Sequence, residues 1–219
     1  MLKPKVKICC ISSPEEAALA IRYGASALGL VGKMPSGPGV IEDTLIKQIA
    51  ATVPPPVATF LLTSETKAEH ILEHHYLTHT NTLQLVDYLE HSQYHQLHAA
   101  LPWIKLVQVI HVLDESDISR AKEISPFVDA LLLDSGNPNL TVKILGGTGN
   151  THNWEISRKI RESVPIPVFL AGGLNAMNVK EAIATVQPWG LDLCSSVRTN
   201  GHLDEAKLKA FFDAVNAEP

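Results

Sequence analysis

Two side chains end apolar runs at positions suited to proton transfer. Cys9 closes the run Val6–Cys9, and Asp134 follows Leu131-Leu132-Leu133. A carboxylate after three leucines is costly to bury, so it is expected to open onto a cavity mouth, where its pKa rises. A thiolate facing a carboxylic acid makes a base and acid pair. The plainer reading of Cys9 is a small packed hydrophobe. Two glycine clusters, Gly146-Gly147-Thr148-Gly149 and Ala171-Gly172-Gly173-Leu174, offer backbone N–H groups without side-chain obstruction, as a phosphate requires. Ser195 and Ser196 would add hydroxyls and further amides. Taken singly each cluster reads as an ordinary turn; two clusters and a serine pair at neighbouring strand ends favour phosphate. Asp192 lies within an apolar run, where an acid needs a hydrogen-bond partner. It would orient a catalytic group, contact a substrate hydroxyl, or serve the structure alone.

Short apolar runs alternate with helical stretches along the chain. The expected strands are Val6–Cys9, Ala27–Leu30, Val57–Leu62, Thr82–Leu85, Leu106–His111, Ala130–Leu133, Val168–Leu170 and Leu191–Cys194. Near-continuous apolar runs of this length suit parallel strands buried on both faces. Ser13-Pro14-Glu15-Glu16 sets a capping Ser before a Pro and first-turn acids, the signature of a helix start. Asn175–Ala184 and Asp204–Val215 read the same way, with Asp204 as a cap. Eight strand–helix units leave an open doubly wound sheet or a closed (β/α)8 barrel, and eight is the number that closes. The expectation is an α/β chain, a single (β/α)8 TIM barrel domain over residues 1–219, with its site on the loops after the strands.

Composition narrows the function. The 219 residues carry 18 Lys+Arg against 23 Asp+Glu, a net charge of −5 without the basic face of a nucleic-acid binder. No apolar run reaches the ~18–20 residues of a membrane span, and Met1–Cys10 lacks a signal-peptide core. Three cysteines, Cys9, Cys10 and Cys194, make no disulfide framework. A reducing cytoplasm is the expected location. Strand alternation lets only one of Cys9 and Cys10 point inward.

The ordered motifs Lys7-Ile8-Cys9, Leu132-Leu133-Asp134-Ser135, Gly146 to Trp154, Leu170 to Asn175 and Asp192-Leu193-Cys194-Ser195-Ser196 resemble phosphoribosylanthranilate isomerase over nearly the whole chain. The resemblance implies a barrel of tryptophan biosynthesis that performs a cofactor-free Amadori rearrangement of an N-(5-phosphoribosyl) arylamine, as monomer or homodimer. It implies Asp134 as the general acid that opens the furanose ring and Cys9 as the base that removes the C2 proton. It places the 5′-phosphate on Gly147, Thr148, Gly149, Gly172, Gly173, Ser195 and Ser196. No metal is expected.

Departures from the family pattern cluster at the arylamine end. Where the family has Ser-Pro-Arg, the Arg pairing with the anthranilate carboxylate, this chain reads Met34-Pro35-Ser36-Gly37-Pro38-Gly39. Losing a bidentate Arg–carboxylate pair forfeits strong charge-assisted hydrogen bonds. The Gly after the catalytic Cys is Cys10; Gln84 keeps the Gln of the strand-four motif, whose His-Gly becomes Val86-Asp87. Lys and Arg on strand five become Gln108 and His111; the loop-six Lys becomes Asn150, and Arg198 replaces a Glu. Ser36, Gln84, His111, Asp192 and Arg198 are expected to contact substrate, with Arg198 or His111 supplying the missing cation. The alternatives are a paralogue handling another phosphorylated sugar derivative, or a phosphometabolite-binding barrel without turnover. His70, His74, His75, His79, His91, His95 and His98 are expected on solvated outer helix faces, and Trp103, Trp154 and Trp189 in packing.

Overall fold

The computed structural model describes residues 3–35, 37–136 and 152–217. Its parallel strands are β1 (Lys5–Ile8), β2 (Ala27–Val31), β3 (Ala58–Thr63), β4 (Thr82–Leu85), β5 (Lys105–His111), β6 (Ala130–Asp134), β7 (Val168–Leu170) and β8 (Gly190–Leu193). Each pairs with the next, and β8 pairs with β1, so the sheet is a closed eight-stranded barrel as the strand count required. The helices are α1 (Pro14–Tyr23), α2 (Asp43–Thr52), α3 (Ala68–Thr78), α4 (His91–Ala100), α5 (Ser116–Ile124), α6 (Trp154–Ser163), α7 (Val179–Val186) and α8 (Glu205–Asn216). No helix among the described residues is long and apolar enough to cross a membrane.

Local chemistry sets the helix starts. Ser13 accepts from the Glu16 N–H at 3.2 Å, Asn153 from Glu155 at 3.0 Å, and Asp204 from Lys207 at 3.1 Å, each satisfying a first-turn donor. The helix expected from Asn175 starts at Val179. Asn175 and Asn178 instead bond each other's backbone N–H groups at 3.2 and 2.8 Å, building a turn before the helix.

Alternation along each strand divides the apolar residues into two layers. Ile8, Leu30, Leu61, Leu85, Ile110, Leu133, Leu170 and Leu191 face the helices. Phe60, Leu62, Val107, Val109, Leu132 and Phe169 fill the lumen. The lumen is crowded on the β1 side. A Cβ on Gly29 would lie 2.7 Å from Cys9 Sγ and 2.9 Å from Lys7 Nζ. Gly29→Ala is therefore expected to destabilise by about 1–3 kcal/mol through overpacking; urea unfolding with an unchanged midpoint would refute this.

The outer ring departs from expectation at two histidines. His74 is wedged between α2 and β3, with Nε2 2.9 Å from Asp43 Oδ1 and Nδ1 3.3 Å from Thr63 Oγ1. His75 is buried, and burial lowers its pKa, with His79 adding to the effect. These side chains pack helices together rather than face solvent. Trp154 packs against the core and Trp189 rests edge-on against Phe169 at 5.2 Å, but Trp103 is 70% exposed and packs little.

Candidate active site

The C-terminal ends of the strands border one cleft whose walls include Cys9, Gln84, Asp134, Gly172, Gly173, Asp192, Ser195 and Ser196. The fold thus gathers residues from β1, β4, β6, β7 and β8 that are scattered along the sequence. Ser36, Gly147, Thr148 and Gly149 lie outside the described residues.

The loop after β7 shows why glycine is needed there. Gly172 has φ +80, a conformation L side chains rarely adopt. A Cβ on it would also lie 3.0 Å from Ser135 Oγ and 3.1 Å from His152 Nδ1. Its backbone can therefore approach a ligand closely. Beyond β8, Ser195–Val197 forms a single 3-10 turn. The Ser196 hydroxyl is buried without a hydrogen-bond partner, at the edge of the cleft. Such a group has bonding capacity to offer an oxyanion.

Asp134 ends β6 and is 8% exposed. Burial, above all, pushes its pKa up to about 6, with Asp192 adding to the rise and the Ser135 N–H and Lys7 working against it. The carboxyl keeps a proton to near-neutral pH, as a general acid should. A folded-state pKa above the unfolded one means the native state holds the proton longer, so stability falls as pH rises from about 4 to 6. Asp134→Asn, which cannot ionise, is expected to melt higher than wild type at pH 8. That advantage should shrink at pH 4; an equal Tm at both pH values would refute it.

One charged residue beside the candidate site was assigned no role in the sequence reading. Lys7 lies in the lumen below Cys9, fully buried, with Nζ 2.8 Å from Asp192 Oδ1 and 5.3 Å from the Phe60 ring centre. Burial opposes its charge, yet Asp192 and then Cys9 hold its pKa above the ordinary value. A permanent cation thus stands beneath the thiol of Cys9. The available signal was position: Lys5, Lys7 and Cys9 alternate, so Lys7 shares the inward face of Cys9. Asp192 thus has the hydrogen-bond partner an acid in that run needs, and it also borders the cleft.

Three expectations need correction. Arg198 does not reach into the cleft. Its guanidinium bonds Glu16 at 3.1 Å, Gly201 O at 2.9 Å and Cys9 O at 3.2 Å, with a further bond to Cys10 O. Paired with Glu16, it fixes the end of β1 from behind the cleft wall. His111 is buried with Nε2 3.1 Å from Val86 O, and burial lowers its pKa. It is drawn to the β4 backbone and does not border the cleft. Cys9 and Cys10 both line the cleft, because β1 ends at Ile8 and Cys10 turns through φ +62. Alternation ends where the strand does.

The described lining holds Asp134 and Asp192 but no lysine or arginine. Among the described residues the groups there that can meet an anion are backbone N–H groups and hydroxyls. On the side that follows β2 the wall is Met34, Gly37 and Pro38.

Comparison with known proteins agrees with this geometry. The family model for N-(5′-phosphoribosyl)anthranilate (PRA) isomerase matches residues 6–214. N-(5′-phosphoribosyl)anthranilate isomerase 2 of Methanosarcina mazei is 35% identical over 94% of this chain and 92% of its own. The isomerase of Methanocella arvoryzae is 31% identical over 96% and 97%. The crystal structure of phosphoribosyl anthranilate isomerase from Thermotoga maritima superposes with a TM-score of 0.81 at 28% identity, covering 97% of this chain and 98% of that one. A complex of such an isomerase with reduced 1-(o-carboxyphenylamino)-1-deoxyribulose 5-phosphate gives 0.79 at 26% identity, covering 97% and 98%. The chain belongs to the N-(5′-phosphoribosyl)anthranilate isomerase family.

Proposed function

We propose that the chain catalyses the Amadori rearrangement of N-(5′-phosphoribosyl)anthranilate to the 1-deoxyribulose 5-phosphate aminoketose, the isomerase step of tryptophan biosynthesis, in the cytoplasm and without a cofactor. The observation that carries the reading is the placing of Cys9 and Asp134, from strands far apart in sequence, on one cleft with the Gly172–Gly173 and Ser195–Ser196 loops. Asp134 gives its proton to the furanose ring oxygen as the C1–O bond breaks. The nitrogen lone pair forms the iminium. That cation acidifies the neighbouring C2–H, and the Cys9 thiolate takes the proton. The resulting enolamine tautomerises to the ketone. Lys7, one turn of the strand alternation below Cys9 and ion-paired with Asp192 at 2.8 Å, puts a buried positive charge under this wall of the cleft. Gly172, Gly173, Ser195 and Ser196, with Gly147, Thr148 and Gly149, would hold the 5′-phosphate; Gln84 borders the sugar.

The direct test generates phosphoribosylanthranilate in situ and follows the loss of its fluorescence on adding the protein. Turnover is expected. Its absence from folded protein would overturn the reading. A second reading rests on the absence of lysine and arginine from the described lining: an arylamine without a carboxylate would meet no penalty beside Met34 and Pro38. It predicts a higher kcat/KM for N-(5-phosphoribosyl)aniline than for the anthranilate compound, and the opposite order excludes it.

A further inference from the structure

The three cysteines, Cys9, Cys10 and Cys194, meet on one wall of the cleft. Two of them are closer to each other than packing alone requires: Cys10 Sγ lies 2.7 Å from Cys194 Sγ. That is about 0.7 Å more than a disulfide bond of ~2.0 Å. The approach is built into the backbone. β1 and β8 are paired neighbours, with Ile8 opposite Leu193, so Cys9 and Cys194 leave the barrel side by side. Cys10 then turns at φ +62, which brings its side chain to Cys194. A non-glycine residue at such a φ is strained. The opposite loop makes room for it. A Cβ on Gly39 would lie 2.5 Å from Cys10 Cβ.

We propose that Cys10 and Cys194 form an oxidation site that a hydroperoxide converts to an intrachain disulfide joining the ends of β1 and β8 at the rim of the barrel. The two sulfurs have different parts. Cys194 is the more exposed; its hydrogen bond with Cys10 lowers its pKa against burial, helped by the charge of Arg198. Cys10 is held protonated by its hydrogen bonds with Cys194 and Cys9 and by burial. The Cys194 thiolate attacks one peroxide oxygen, the O–O bond breaks, and an alcohol or water leaves with the proton. Cys194 is then a sulfenic acid. The Cys10 sulfur attacks it, the S–O bond breaks, and water departs with the Cys10 proton. Two thiols and one hydroperoxide give one disulfide, one alcohol and one water, a two-electron oxidation of the protein. Cys9 is left out by geometry toward Cys10. Adjacent Cα atoms stand about 3.8 Å apart, short of the roughly 4.4–6.8 Å a disulfide spans.

The test treats the full chain with stoichiometric hydrogen peroxide, alkylates in denaturant, and maps peptides without reduction. Free thiols are expected to fall from three per chain to one, with the Cys10 peptide joined to the Cys194 peptide and released by dithiothreitol. Cys10→Gly suits the left-handed backbone at that position and keeps the fold testable. It should yield no crosslink and a sulfenic acid on Cys194 that dimedone traps. Cys194→Ser should yield no crosslink either. Retention of three thiols, a disulfide containing Cys9, or a crosslink between chains would overturn the proposal.

Discussion

Asp134→Asn is expected to lower kcat by about 10²–10⁴-fold, the usual worth of a positioned general acid. The amide keeps the size of the carboxyl and the hydrogen bond from the Ser135 N–H, which the carboxylate now accepts at 2.7 Å. What it loses is the proton that the buried carboxyl holds to a pH of about 6. Ring opening then has no donor, and KM, set by phosphate and aryl contacts, should change little. Cys9→Ala removes the base and should cost a similar factor. In the double variant the two losses should fall short of multiplying, because the groups serve one proton circuit. Stopped-flow fluorescence of phosphoribosylanthranilate measures all three. A drop of less than tenfold in either single variant would remove that residue from the proposed chemistry. The Tm gain at pH 8 makes the contrast sharper: one substitution would stabilise the fold while stopping the reaction.

The strands were legible because a parallel barrel buries both faces of each strand. Ala27-Leu28-Gly29-Leu30, Leu131-Leu132-Leu133 and Val168-Phe169-Leu170 therefore read as apolar runs whatever their partners. Cys9 and Asp134 were legible because they end such runs. The tertiary relations were not. Lys7 finds Asp192 at a separation of 185 residues, and nothing local announces the match. Arg198 looked like a spare cation because Glu16, its partner, lies at a separation of 182 residues. Cys10 defied period-two reasoning because its left-handed turn is a property of backbone that side-chain pattern does not encode. His74 and His75 lie on a helix whose apolar stripe is weak, so their inward direction had no clear signature.

Lys7→Met should be the most destabilising single change in the lumen, by about 3–5 kcal/mol. Methionine matches the lysine stem, so no cavity opens. The loss arises because Asp192 stays buried, with its side chain 9% exposed, and has lost its cation. For a chain of this size the shift is roughly 10 °C or more in Tm. Lys7→Met combined with Asp192→Leu removes both charges and should recover most of the stability, since paired apolar replacements are close to neutral. Urea unfolding of the three variants decides the matter. A double variant no better than Lys7→Met would show that the loss is one of packing and not of an abandoned charge.

The same ion pair bears on how the chain is assembled. Lys7 and Asp192 stand directly opposite in the pairing of the first strand with the last. Until the eighth strand has been synthesised, β1 keeps one open edge, and a lysine on such an edge discourages stray strand pairing. When β8 arrives, a slip of one residue would set Lys7 against Leu191 or Leu193 and turn Asp192 to the other face, leaving the buried lysine without its partner. The final joint therefore has one register that neutralises both groups. Closure of the barrel and neutralisation of the two charges thus coincide: the lysine is paired only in the register that seals the first strand to the last.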